Sequence, residues 1–587
     1  MNFLLRRTWQ RPQGTAHGVP TSSSTYQANP EALMTIKVNV HTNGDDALVV
    51  WGPDPWDDSW AGFRLERRNT RTEEISLVNN RIPPVAGAGE VPAEGIASDI
   101  SPIRRCMWTD HTVSSSDSVA YRVTPMKPSG TDKFMPVEDK ASEWTPPKLV
   151  TDRFADGLSA CFNRGTIMSQ VVSRIVGEVS VASLKAFKAK LDQPSFPGRR
   201  YLSGDARHAV LDFMADADRR GNEVFAALYE INDQELIDGL KAFSNRAHVL
   251  IGNGSATGTN VANELEGAGA EVHHRDLSHS GRSSPSVHNK FLVEVSKSTK
   301  KATRVLTGST NWTTTGLCTQ LNNVLVIERP ATAQRFHRQW EVLVASGDDM
   351  LGELKEENGR QVQDGPVTTF FAATQNQLEF APVLELLNNA TDGLLFLMFT
   401  PGESPLLLNL LDRAMQDDGC YIRGVVSEVR ESANGRVTSH DAVVVKKGVP
   451  PEKFHDTALL PNGLPQDNLP SWAREEFQRR MYLPAGLNAI IHSKVIVVDP
   501  FSDDCAVVTG SHNFSPAASE HNDENLVIVR GNKALAQAYA LHIEGIYDHF
   551  AWRAFLSSGG NPDQIFKPLD SWKPRGSHER ELKFWLR

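Results

Sequence analysis

Between residues 35 and 147 the chain alternates apolar and polar positions in short runs. These are Thr35-Ile-Lys-Val-Asn-Val40, Ala47-Leu-Val-Val-Trp51, Gly62-Phe-Arg-Leu-Glu-Arg67 and Val119-Ala-Tyr-Arg-Val-Thr124. A period of two sends alternate side chains to opposite faces of a strand, and the Pro, Gly and Asp residues between the runs mark turns. The pattern predicts an N-terminal β-sandwich over 35–147, with Trp51 on an early strand as a core aromatic and Tyr121 on a late strand. Trp56-Asp-Asp-Ser-Trp60 reads as an exposed loop and a candidate contact for a ligand or partner.

From Val150 onward the period changes. Helical spacing over Ala206–Arg220, Thr259–Gly269, Ala381–Asn389 and Leu406–Gln416 is interleaved with apolar strand-like runs at Val224, His248, Gly393 and Tyr421. Alternation of this kind predicts α/β layers. Helical tails close two stretches, at Ala331–Ala345 and Ala534–Leu556. The chain is therefore expected to be multi-domain: an N-terminal β-sandwich followed by two pseudo-symmetric α/β halves, each a mixed sheet flanked by helices. The boundaries are a disordered tail over 1–34, the sandwich over 35–147, the halves over 148–360 and 361–560, and a C-terminal extension over 561–587. A segment from Gly448 to Leu487, rich in Pro, Asn and Asp, is expected to cover the mouth of a site.

Composition narrows the classes. A chain of 587 residues with 40 % hydrophobic and 22 % charged positions is ordinary for a globular protein of two to four domains. No run of 18 or more apolar residues occurs, so no spanning helix is predicted. Five widely spaced cysteines argue against a disulfide framework or a zinc site. The first 30 residues carry Arg6, Arg7 and Arg11 without an apolar stretch after them, so a signal peptide is not predicted and a cytoplasmic location is expected. Met34 is an alternative start. The net charge of −10, without a basic run, leaves no sign of a nucleic-acid track.

The chemistry lies in a duplication. Ser286-Val-His288-Asn-Lys290 is followed 20 residues after the histidine by Gly308-Ser309-Thr-Asn311-Trp312. Ile491-His492-Ser-Lys494 is followed after 18 by Gly510-Ser511-His-Asn513-Phe514. Neither His-x-Lys nor Gly-Ser-x-Asn has a third copy. One His-x-Lys is common, but two at matched distance from two Gly-Ser-x-Asn segments are not. On a strand the histidine and lysine of each copy share a face, and a hairpin would bring the serine and asparagine beside them. Two imidazoles, two ammoniums and two amides around one cavity fit a tetrahedral anion. No cluster at metal-ligand spacing stands out; His273-His274 with Asp276 reads as a solvated loop. No metal and no cofactor are expected.

These residues resemble the duplicated His-x-Lys-x4-Asp and Gly-Ser-x-Asn signature of the phospholipase D superfamily. The second copy matches in full, with Asp499 in place and Glu524 at the start of a strand. The first has Val295 where Asp499 stands, with Glu294 one residue earlier, and Asn322 where Glu524 stands. The likeness spans about 150 to 555, and the N-terminal module is similar to fibronectin type III. The resemblance implies a metal-independent phosphodiesterase working through a phosphohistidine. It implies catalytic roles for His288, Lys290, Asn311, His492, Lys494 and Asn513, with support from Ser309, Ser511, Asp499, Glu524 and Asn322. Within each half, Glu524 is expected to hold His492 and Asn322 to hold His288, so that His492 titrates higher. His288 is expected to be the nucleophile and His492 the general acid.

The phosphodiester substrate is expected to be a phospholipid, met in transient contact with a membrane surface, at an active site completed within one chain. Two alternatives stand beside it: a nucleic-acid phosphodiesterase, and a binding or scaffold protein whose first half-site has degraded.

Overall fold

A computed structural model of the chain describes residues 35–85, 91–92, 94–165, 180–278, 285–402, 404–415, 419–427, 457–459, 490–557 and 577–587. The 1–34 tail, Met34 and most of the Gly448–Leu487 segment lie outside the described residues.

The N-terminal region is β-rich. One sheet runs in the order Thr35–Thr42, Ala47–Asp54, Met107–Asp110, and another in the order Lys148–Leu149, Ser118–Pro128, Gly62–Asn69, Ile75–Leu77. Trp51, Phe63, Leu65, Tyr121 and Val123 are fully buried among its strands. The Tyr121 hydroxyl donates to Asp110 at 3.0 Å, so the buried phenol is satisfied. The Trp56–Trp60 loop is not the exposed contact expected from its sequence. Trp60 is 1 % exposed, and both indoles pack edge-on against Phe63. Asp57, Asp58 and Ser59 give the segment its polar look, while the rings turn inward.

Two eight-stranded mixed sheets follow. The first runs in the order Arg153–Phe154, Leu158–Phe162, Asn323–Ile327, Ala302–Gly308, Lys290–Val295, Glu223–Leu228, Ala247–Ile251, Glu271–His274. The second runs in the order Val362–Asp364, Val367–Ala372, Glu524–Arg530, Ala506–Gly510, Val495–Val498, Gly393–Met398, Tyr421–Val426, Thr457–Leu459. The order is the same in both. His273 and His274 are thus residues of an edge strand, not of a loop. Thr457–Leu459, from within the Pro-rich segment, supplies the opposite sheet's edge strand by parallel pairing with Arg423–Val425.

Burial on both faces explains the apolar strands. In Val495–Val498, Val495 and Val497 join a core shared with Val293, Leu325 and Ile327 of the first sheet, while Ile496 and Val498 face the helices Phe380–Asn389 and Pro405–Met415. The outer face of the first sheet is likewise covered by the helices Val181–Leu191, Pro197–Arg219 and Gln234–Lys241. Helices Pro330–Ser346 and Lys533–Ser557 line the shared core, and Trp340 donates its indole N–H to the Ala226 carbonyl at 3.0 Å. Local signals set the helix starts. Pro197 and Pro330 occupy first turns, and Asp233 and Ser515 accept from the N–H groups of Leu236 and Ala518. The C-terminal helix Ser577–Trp585 docks back on the molecule. Trp585 is fully buried against His41 and Phe501, and Phe584 stacks on Tyr421. Among the described residues, no helix is long and apolar enough to cross a membrane.

Candidate active site

Each Gly-Ser-x-Asn ends a strand, and the glycine makes its turn possible. Gly308 and Gly510 have φ of +144° and +143°. A Cβ at either would press into the carbonyl oxygen of Asn323 or Asn525 on the neighbouring strand. The serine that follows ties two strands together. Ser309 Oγ donates to Asn322 Oδ1 at 2.8 Å and accepts from the Asn323 N–H at 3.0 Å. Ser511 Oγ donates to Glu524 Oε2 at 2.7 Å and accepts from the Asn525 N–H at 2.9 Å.

His288 and His492 lie where these strand ends of the two sheets meet. Their ring centroids are 6.4 Å apart at an interplanar angle of 67°. The two rings therefore face one another across a gap on the scale of a single tetrahedral phosphate, whose near-attack contacts are about 3–3.5 Å on either side. Lys290 donates to the His288 carbonyl at 2.7 Å, and Lys494 donates to the His492 carbonyl. All four side chains are buried.

The supports are crossed between the sheets, which corrects the expectation from sequence. Glu524 Oε2 lies 2.8 Å from His288 Nδ1, whereas His492 Nδ1 lies 2.9 Å from Asn322 Oδ1 and 3.1 Å from the Ser309 carbonyl. Asn322 is oriented by its own amide, which donates to the Gly316 carbonyl at 2.8 Å. Because all three Nδ1 partners are acceptors, Nδ1 carries the proton in both rings, and each Nε2 is left for the chemistry. The expected order of proton affinities also changes. Burial pushes His288 down to about 4, with Glu524 opposing and Lys290 adding to the fall. Burial, then Lys494 and Lys290, push His492 well below its ordinary range, and no carboxylate is among the principal groups opposing them. Burial, the largest single effect, acts to raise Glu524, but His288, His512 and Lys290 together hold the carboxyl below its usual range. Burial takes Lys290 to about 7 and Lys494 well below the ordinary lysine range. So many depressed bases in one place make a site that gains protons when an anion arrives.

Three residues carried no motif. Tyr229 and Phe399 each follow the last residue of a matched strand, Glu223–Leu228 or Gly393–Met398. Lys290 Nζ lies 4.9 Å from the Tyr229 ring centre, and Lys494 Nζ lies 4.9 Å from that of Phe399. The same rings abut His288 at 4.8 Å and His492 at 4.9 Å. Glu230, the third, accepts from Asn311 Nδ2 at 2.7 Å. The Oδ1 atoms of Asn311 and Asn513 are buried without a hydrogen-bond partner among the described residues. Trp312 and Phe514 are core side chains.

Asp499 is not in this site. Its carboxylate accepts from the N–H groups of Thr391, Asp392 and Gly393, pinning the entry to a strand. In the first sheet Glu294 does related work, fully buried and bonded to Arg304, Arg220 and Asn222. The absence of an aspartate at Val295 therefore leaves the first histidine's surroundings intact. Among the described residues, the group of acids close enough to hold a cation is Glu544, Asp548 and Glu581. These already serve Tyr421 and Arg105 and belong to the packing of the C-terminal helix.

Residues 383–546 match the family described as cardiolipin synthase, PLD-like domain. A search of curated proteins finds no match. Among solved structures, the chain is similar to a polyphosphate kinase from Porphyromonas gingivalis, with 11 % identity, 55 % of this chain and 42 % of that one covered, and a TM-score of 0.36. It thus spans under half the length of that kinase. It is also similar to a phosphatidylserine synthase from Haemophilus influenzae, at 13 % identity over 59 % of this chain and 84 % of that one, TM-score 0.35. A third is a phospholipase D family member, Nuc, from Salmonella typhimurium, at 20 % identity over 31 % of this chain and 94 % of that one, TM-score 0.20. The chain carries a phospholipase D-like domain.

Proposed function

We propose that the protein is a metal-independent phosphodiesterase working through a phosphohistidine, with phospholipids as substrates. The observation that carries this reading is the facing pair of imidazoles, each with its Nδ1–H committed to an acceptor. His288 Nε2 attacks phosphorus, the bond from phosphorus to the leaving oxygen breaks, and His492 delivers a proton to that oxygen. Glu524 suits the nucleophile, because it offsets the positive charge that His288 gains as its P–N bond forms. In the second step His492 takes a proton from water, the water oxygen attacks phosphorus, and the P–N electrons return to His288. Lys290, Lys494, Asn311 and Asn513 hold the non-bridging oxygens, where charge gathers in the transition state. The two sheets act as pseudo-twofold halves of one site within a single chain. The β-rich N-terminal region, fibronectin type III-like in our reading, braces them.

The test is a chelator-treated assay with phosphatidylcholine, single-stranded DNA and a chromogenic phosphodiester. Lipid turnover should persist in EDTA because lysines supply the positive charge. His288→Ala and His492→Ala should each lower it by at least ~10²–10⁴. Full activity in either folded variant would end the two-histidine mechanism, and preference for DNA would transfer the site to nucleic acid.

A further inference from the structure

Among the described residues, Glu230 has no acidic counterpart at the matched place in the other sheet. It follows Tyr229, whereas Thr400 follows Phe399 at the matched place in the other sheet. Its Oε2 takes the Asn311 amide at 2.7 Å, and its Oε1 takes the Ala256 N–H at 3.2 Å. Both bonds fix a partly exposed carboxylate beside a phosphate-binding amide. It stands near enough to Lys290 to raise that lysine's proton affinity.

We propose, resting on the phosphodiesterase reading, that Glu230 sets the charge the site accepts, admitting singly charged phosphodiesters and turning away doubly charged phosphomonoesters. With an anion bound, Lys290 and Lys494 contribute two positive charges and Glu524 and Glu230 two negative ones. The proton His492 must carry as general acid then balances a single negative charge on the substrate. A dianion leaves one charge unmatched in a buried place, where screening is weak. Without Glu230 the balance would favour the dianion. The alternative is that Glu230 only orients Asn311. Glu230→Gln separates the two, since glutamine removes the charge and, with its one oxygen turned to Asn311, keeps that acceptor while giving up the longer bond from the Ala256 N–H.

The experiment compares the wild type with Glu230→Gln on bis(p-nitrophenyl) phosphate and p-nitrophenyl phosphate, near pH 8, where the monoester is a dianion given its second pKa of about 6. The monoester-to-diester ratio of kcat/KM should rise about tenfold or more in the variant. By calorimetry, sulfate should bind about tenfold tighter relative to dimethyl phosphate. Thr400→Glu, which adds a carboxylate on the other side, should shift both ratios the opposite way, and it decides the matter if Glu230→Gln does not fold. Unchanged ratios in an active, folded variant overturn the charge role and leave the phosphodiesterase reading standing. A wild type that binds both anions but turns over neither ester overturns that reading, while the binding ratios still decide the role of Glu230.

Discussion

Glu524 and Asn322 differ by one charge, and each serves a histidine on the opposite sheet. The consequence is measurable. Under the mechanism proposed above, Glu524→Gln removes the carboxylate behind the attacking imidazole, so it should slow substrates with good and poor leaving groups alike, by ~10²-fold in kcat/KM. Asn322→Asp gives His492 a carboxylate, and an opposite charge raises an imidazole's pKa. A general acid must be protonated, so the basic limb of the pH–rate profile should move to higher pH. No movement of that limb would show that His492 is not the acid. At this scale the sequence was legible for the histidines and lysines that converge and illegible for the groups that support them. His288, Lys290, His492 and Lys494 stand in paired motifs with fixed local spacing. The partner of His288 is 236 residues away in the chain, and nothing in the spacing of Glu524 reveals that its carboxylate reaches across to the other sheet. Tyr229, Phe399 and Glu230 were missed for a different reason. The signal for the two rings is only that each follows one of two matched strands, and Glu230 has none, since Thr400 stands at its place in the other sheet.

At the scale of elements, the apolar runs gave the strands and helices well, because burial on one or both faces leaves a period that can be counted. The expected Leu406–Gln416 helix is Pro405–Met415, and the expected Ala381–Asn389 helix is Phe380–Asn389. The Trp56–Trp60 loop failed because three polar residues outweighed two rings whose direction no pattern encodes. Asp499 shows the same limit in a motif residue. Its place after His-x-Lys suggested catalytic support, yet it satisfies three backbone N–H groups. Asp499→Ala should therefore lower stability by about 3 kcal/mol, from buried donors left unpaired. Turnover per folded molecule at permissive temperature should hold. Denaturant melts and active-site titration check both halves of that statement, and a large loss of kcat with normal stability would return Asp499 to the chemistry.

Across the whole molecule, the last helix ties the N-terminal strands to the second sheet. His41 on the first strand meets the Trp585 carbonyl at 2.8 Å, and burial pushes that imidazole down to about 4 from 6.5. Between those values the unfolded chain binds the proton and the folded one does not, so this histidine's contribution is lost as pH falls from 6.5 toward 4. The slope is about 1.4 kcal/mol per pH unit. His41→Gln can still donate to Trp585 without titrating. Its melting temperature relative to wild type should improve as the buffer is taken from pH 7 to pH 5, and a constant difference would deny the linkage. Trp585→Ala should cost about 3–5 kcal/mol at any of these pH values, as the loss of a fully buried indole. The crossed supports carry a consequence for how such a chain could be taken apart. A dimer built from two copies of the Glu524-bearing half would back both imidazoles with carboxylates, and one built from two Asn322-bearing halves would back neither. Only the unlike pair puts a carboxylate behind one imidazole and a neutral amide behind the other. Each half draws the support of its histidine from its sibling, so a substitution at either support is felt on the opposite sheet.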